Sequence, residues 1–436
     1  MMKEQRGKRY CTTREEFFVE SDCLIGEEAE DFLEATGEEF QVFEGFGAAF
    51  NELGMQALGE LEEEERQRVC DRLFSPEGDL RLTFCRIPIG ASDFALEWYS
   101  CNEHEDDFGM KHLSIERDRK YLLPYIKLAL ERNPDIKFFA SPWSPPTWMK
   151  YPKAYNYGKL IFEKKYLEAY ALYFAKFVEA YREEGVDIRQ VHIQNEPIAN
   201  QKFPSCLWTG AEYAEFIRIL KPALEKRGLD TEVWFGTLNL PGPGYDSSYE
   251  EYVNAVLCRR DVRELLGGVA FQWDGRTGID QTRQSYPELR YMQSENECGD
   301  GANTWEYAYY IFNLMRHYLQ CGANYYIYWN MLLRTGGEST WGWRQNSLIC
   351  TEGGRAVYNP EYYLMKHFSH FIGKGAVRQG VRGIYAGSAT MFRNPDGSYV
   401  AVVFNGQHYE RKMTVRAGGR SVTATLPPQS FNTFVF

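Results

Sequence analysis

The 436-residue chain has no CxxC pair among its ten cysteines, no N-x-Ser/Thr sequon, and no apolar run near the roughly 18 residues a bilayer span requires. Without CxxC spacing, neither a structural zinc ribbon nor a disulfide-dense scaffold is expected. The first residues, MMKEQRGKRYCTTREEFF, lack the apolar core of a signal peptide. These absences together predict a reduced, cytoplasmic protein. Positive charge is also short, with 49 Lys+Arg against 61 Asp+Glu for a net charge of −12. That argues against nucleic acid, whose phosphates demand a basic surface, and gives an anionic membrane nothing to attract. No His, Asp or Glu cluster has metal-ligand spacing, so neither metal nor cofactor is expected.

Aromatic residues are abundant: 10 Trp, 30 Tyr and 28 Phe, or 16% of the chain. Flat rings suit the C–H faces of sugars but also fill cores, and composition alone favours the core reading. The acidic run Glu62–Glu65 reads as a solvated helix face.

Order along the chain is more informative. Between about residues 40 and 332, short apolar runs alternate with amphipathic stretches. The predicted strands are Phe43–Phe50, Leu82–Ile89, Ile136–Pro142, Val191–Pro197, Val233–Asn239, Gly268–Asp274, Arg290–Glu297 and Asn324–Asn330. Their largely unalternated apolar character is that of parallel strands covered on both faces. Between them, Ile161–Glu184 carries Phe162, Tyr166, Tyr170, Tyr173, Phe177 and Tyr181 at helical spacing, and Gly185 stops it. Further helices are expected at 115–132, 211–227, 249–265 and 303–320. Eight alternations predict the α/β class and a (β/α)8 TIM barrel. A doubly wound sheet would call for a phosphate loop after its first strand, and GFGAAFNELG (45–54) does not match GxGxxG. The tail contains strand-like pieces at Tyr399–Phe404, Lys412–Arg416 and Phe431–Phe436, with turns at 394–397 and 417–419. The expected division is residues 1–39 as strands joining a β-sandwich, 40–371 as the catalytic barrel, and 372–436 as the rest of an appended antiparallel β-sandwich.

Barrel active sites gather where strands end. The fourth strand ends in VHIQNEP (Asn195, Glu196) and the seventh in YMQSENEC (Glu295, Glu297). The second leads to Arg86 and Asp93, the third to Trp143 and Trp148, and the eighth to Trp329 and Asn330. Carboxylates at the fourth and seventh strand ends face each other across the mouth, as glycoside cleavage needs: one acid protonates the leaving oxygen and one carboxylate serves the anomeric carbon. Period-two geometry sends Glu295 and Glu297 to the same face and does not choose between them. Arg86 reads as a partner for a rim carboxylate, and His192 as a satisfied buried histidine. The tryptophans taken singly read as core. A phosphate-using aldolase or isomerase would need a glycine-rich site after strands seven and eight. Gly336–Gly337 offers only half of it, and a Schiff-base lysine is absent from the strand ends.

Nine segments in order resemble glycoside hydrolase family 30, which includes glucosylceramidases: FEGFGAAFNE, RIPIGASDF, ASPWSPPTWMK, QNEP, FPSCLWTGAEY, SENEC, YWNM, KHFSHFI and NPDGSYVAVVFN. The resemblance implies a retaining mechanism on a barrel with a sandwich built from both termini. It implies Glu196 as acid/base and Glu295, after Ser294, as nucleophile. It also implies Asp93, Trp143, Asn195 and Trp329 as substrate contacts, and Arg86 and Gln272 are expected among the substrate-binding residues with them. Gln272 stands where the glucosylceramidase pattern has His, and the loop LLRTGGESTWGWRQN matches loosely, so the aglycone is open. The implied substrate is a β-linked glycoside or oligosaccharide. An exo-acting β-glucosidase is expected first, with a β-xylosidase or β-1,6-glucanase as alternatives and a non-catalytic sugar-binding barrel as the remote one.

Overall fold

A computed structural model describes residues 7–239 and 249–436. Eight parallel strands close into a barrel: β1 (Gly45–Ala49), β2 (Phe84–Ile89), β3 (Lys137–Pro142), β4 (Ile188–His192), β5 (Glu232–Leu238), β6 (Leu266–Gln272), β7 (Tyr291–Glu295) and β8 (Ala323–Asn330). Helices cover the outside, so each strand is buried on both faces, which is why its sequence is apolar without alternation. The expected barrel with an appended sandwich is the fold found. Inside the barrel, Phe84, Phe139, Trp234, Ala270, Met292, Tyr325 and Ile327 pack into one cluster. Each such side chain contributes roughly 1.5–3 kcal/mol by leaving water, and together they plug the end of the barrel away from the site. Gly47 is obligatory on β1: a Cβ there would sit 1.5 Å from the Phe84 carbonyl oxygen.

Three expected elements differ in detail. The fourth strand was expected at Val191–Pro197 but its ladder runs Ile188–His192. Exposed Arg189 and polar Gln190 disguise its start, and beyond His192 the backbone bends out of the ladder. The helix expected at 115–132 is two, Glu116–Tyr121 and Leu123–Arg132, split just before Pro124, whose ring cannot continue a helix hydrogen-bond ladder. The one expected at 249–265 breaks into a π-turn at Tyr249–Asn254 and two short pieces. By contrast Lys164–Glu183 is one helix, with Tyr170, Tyr173, Phe177 and Tyr181 on its buried stripe.

The second body is a nine-stranded sheet, in the order Val19–Asp22, Lys8–Thr12, Ser430–Val435, Tyr399–Asn405, Ala389–Arg393, Val377–Gly383, Asp31–Val42, Arg411–Ala417, Arg420–Leu426. Strands from both ends of the chain therefore share it. A bridge between Leu24 and Thr423 brings its two edges together around Leu33, Met391, Val403, Met413, Val415 and Phe434. It meets the barrel through the helix Pro360–Ser369. There His367 lies buried, with Nδ1 2.8 Å from Thr433 Oγ1 and Nε2 2.9 Å from Thr12 Oγ1.

Candidate functional site

The strand ends build a floor of interlocked polar groups. Arg86, on β2, points into the barrel and is fully buried. Its Nη1 donates to Glu295 Oε2 in a short charge-assisted bond. Its Nη2 donates to Asn195 Oδ1 (2.6 Å), and Nε and Nη2 both reach Ser141 Oγ (3.1 and 3.0 Å). The Gln272 amide donates to Asn195 Oδ1 (2.8 Å) and Glu295 Oε2 (3.0 Å). Thr237 adds a third bond to Asn195 Oδ1 at 3.1 Å. With its oxygen so engaged, Asn195 offers its nitrogen to the cavity it lines.

Two local departures from regular strand aim the carboxylates. Between β6 and β7 the register jumps: Phe271 pairs with Gln293 but Gln272 pairs with Glu295, leaving Ser294 unmatched. Met292 belongs to the interior cluster, so strict alternation would turn Glu295 outward; the bulge restores it to the inside. After β4, Glu196 takes φ of +49°, a left-handed conformation that costs a non-glycine residue roughly 1–2 kcal/mol. Its N–H donates to Thr237 O (3.1 Å) and the Asn195 N–H to Pro142 O (2.8 Å), which hold the bend.

Above the floor lies a cavity of about 320 Å³. Asp93, Trp143, Asn195, Glu196 and Glu295 all line it. Burial, reinforced by Glu295 and Asp93, drives the Glu196 carboxyl well above the ordinary carboxylate range. Burial also raises Glu295, but Arg86 pulls against it, so Glu295 gives up its proton first. Burial and the Glu295 charge push Asp93 up to about 8, and its buried Oδ1 has no hydrogen-bond partner among the described residues.

Arg86, Gln272 and Trp329 lie behind this lining rather than on it. Arg86 and Gln272 are the hydrogen-bonding floor described above. Trp329 packs against Trp143 (ring centroids 5.5 Å), and its Nε1 donates to Gln345 Oε1 at 2.6 Å. Trp148 is spent on the core, its Nε1 bonded to Asn102 O at 3.0 Å, and Asn330 pairs with Asn51 and Gln345. His192 sits deeper, between Phe139 and Trp234. Glu297 falls outside the strand and the lining, so alternation no longer relates it to Glu295. Among the described residues no cluster of His, Cys, Asp and Glu could hold a metal ion, and no helix is long and apolar enough to cross a membrane.

The model of the glycosyl hydrolase family 30 TIM-barrel domain matches residues 43–372, and that of the family's β-sandwich domain matches 375–434. The chain belongs to glycoside hydrolase family 30. Its relatives include the lysosomal acid glucosylceramidase of Mus musculus, 26% identical over 435 residues that span 91% of this chain and 81% of that one. An endo-1,6-β-D-glucanase of Aspergillus fumigatus is also 26% identical, over 91% of this chain and 85% of its own. Among solved structures, SrfJ from Salmonella typhimurium superposes with a TM-score of 0.89 at 25% identity, covering 99% of both chains. The protein is therefore a glycoside hydrolase, and its substrate is a glycoside.

The outer wall of this family 30 cavity was not foreseen. Trp341, Trp343 and Gln345 come from the loop after β8, Trp273 and Asp274 from the turn after β6, and Cys298 from the loop after β7. Gly337 explains the glycine pair once weighed as a phosphate site. At φ of +54° it turns the loop back on itself, and a Cβ there would meet Gln345 O at 1.8 Å. The Gln345 N–H donates to Gly337 O at 3.0 Å. A Trp-Gly-Trp next to two glycines in a strand-eight loop was the available signal.

Proposed function

We propose that this enzyme hydrolyses β-glucosides with retention, by double displacement between Glu295 and Glu196. The observation that carries it is a pair of carboxyls in one cavity with opposite surroundings. Glu295 is gripped by Arg86 and Gln272, both of which favour its ionised form. Glu196, raised well above its ordinary range, keeps its proton. In the first step Glu295 attacks C1 as the C1–O bond breaks, and the Glu196 proton passes to the leaving oxygen. In the second, Glu196 takes a proton from water, the water oxygen bonds C1, and Glu295 departs. Asn195 supports the sugar through its free amide nitrogen, while the unpartnered Oδ1 of Asp93 awaits hydroxyls of the same ring.

The substrate of first choice is a small β-glucoside cleaved from its end, in keeping with a cavity of about 320 Å³. The ten cysteines, all free, accord with the reducing cytoplasm as its setting. Kinship with an endo-1,6-β-D-glucanase supports a second reading, cleavage within β-1,6-linked glucose chains. Parallel assays of aryl β-glucoside, aryl β-xyloside and β-1,6-linked gluco-oligosaccharides separate these readings from a xylosidase. Azide added to Glu196→Ala tests the mechanism: a β-glucosyl azide is the expected product, and a folded variant that azide does not rescue removes Glu196 from its role.

A further inference from the structure

We propose that the mouth of the cavity is a second saccharide site, in which a neutral sugar of the leaving group stacks on Trp343. The inference rests on the acid role of Glu196 and deepens it. A proton donor faces the leaving oxygen, so the chain continuing from Glu196 flanks the leaving-group side. That chain supplies Asn200, Gln201 and Phe203 to the lining. Trp341 packs against Phe203 (centroids 5.1 Å), with the Lys202 ammonium 4.9 Å over its ring, which places the loop after β8 on the same side. The Trp341 Nε1 donates to Asp93 O at 3.0 Å, so this ring is fixed. Trp343, 5.1 Å beyond it, keeps 45% of its surface exposed.

A large indole left open at the rim, backed by a second one held by a hydrogen bond, is a preformed stacking surface. Its surroundings decide what lies on it. Gln201, Asp274 and the amide nitrogen of Asn200, whose oxygen accepts from Gly158 N–H at 3.1 Å, supply donors and acceptors, whereas Ile198 and Ala199 are the aliphatic members of the described lining. A hydrocarbon leaving group would bury these amides unpaired, while a pyranose satisfies them. The described lining residues include no Lys, Arg or His to pair with the charge of a phosphorylated or uronic sugar, so a neutral sugar fits.

The test compares Trp343→Ala with the unaltered enzyme on three substrates: β-glucosyl fluoride, whose leaving group cannot stack, a β-linked glucose disaccharide, and an octyl β-glucoside. For the disaccharide kcat/KM is expected to fall about tenfold, the scale of one lost stacking contact. The fluoride should change less than twofold, and Trp343→Phe should recover most of the loss. Equal losses on fluoride and disaccharide, or none on the disaccharide, overturn the proposal. So does an unaltered enzyme that prefers the octyl glucoside to the disaccharide. Failure of the unaltered enzyme on all three sinks the glucosidase reading instead. In that case, calorimetric titration of the disaccharide into Glu295→Gln and into Glu295→Gln/Trp343→Ala still decides: weaker binding by the double variant upholds the site, and equal binding rejects it.

Discussion

The floor and the mouth of the cavity follow different construction rules. Floor groups stand on strand ends, are buried, and hold one another: Arg86, Asn195, Thr237, Gln272 and Glu295 share a single network. Mouth groups come from loops after β4, β6 and β8, and Gln201 and Trp343 lie open to solvent. A network of buried groups that hold one another tolerates little change, so it is suited to a fixed chemical step. Side chains that touch mostly solvent and one neighbour can vary without collapse, which suits them to choosing a substrate.

If that division is right, effects should shrink from floor to mouth. The largest is expected for Arg86→Met. It strips the Glu295 carboxylate of its cation, costing roughly 3–5 kcal/mol of stability as a broken buried pair. It also raises the pH at which Glu295 ionises, so the acidic limb of the kcat/KM profile moves upward. Denaturant titration and a pH–rate profile check both, and an unmoved acidic limb would mean Arg86 does not govern Glu295. Next comes Glu196→Gln, expected to lower kcat/KM for alkyl glucosides by about 10²–10⁴-fold while sparing kcat/KM for β-glucosyl fluoride, whose first step needs no proton although its second still lacks the base. Stopped assays with the two substrates give the ratio directly. Asp93→Asn keeps the shape but replaces a carboxyl, neutral below about pH 8, with an amide. About a twofold to tenfold drop in kcat/KM is expected, the weight of one hydrogen bond between neutral groups.

The smallest effect concerns the joint between the two zones. Glu361 is buried, accepts from Asn346 Nδ2 at 2.7 Å, and is pushed by burial up to about 8. Asn346 in turn anchors the loop after β7, through Gly301 N–H (2.8 Å) and Cys298 O (2.6 Å). A carboxyl whose folded pKa is raised favours the fold at low pH and loses that favour as pH climbs toward 8. The loss runs at about 1.4 kcal/mol for each pH unit across that window, as an upper bound. Melting temperatures at pH 5, 7 and 9 should therefore fall less steeply in Glu361→Gln than in the parent. Parallel curves would show that Glu361 ionises in the folded protein over the same pH range as in the unfolded chain.

The same division governs what could be read from the chain alone. Floor residues sit at the ends of apolar runs, where the change from Val, Ile and Phe to Asn, Glu or Arg is visible, and family resemblance then singled out Glu295. What was invisible there was backbone detail: the Ser294 bulge and the left-handed Glu196 are tertiary choices with no local signature. Trp329 and Gln272 were placed at the substrate because strand position was known but depth was not. Mouth residues carry no periodicity, since Trp273, Trp341 and Trp343 reach the cavity through turns, so their convergence depends on how loops fold back.

The histidine wedged between Thr12 and Thr433 has an architectural corollary. Both extremities of the polypeptide close on one helix of the barrel, and burial holds that imidazole neutral, its pKa lowered to about 3. Trp305 and Phe312 of the barrel rest on Phe431 at the same seam, at 4.9 and 5.7 Å. Excising either body would uncover that seam and strand the imidazole, so the barrel is not a portable module. Hydrolase and sandwich should melt as one cooperative unit, and acidification should loosen them at this hinge first.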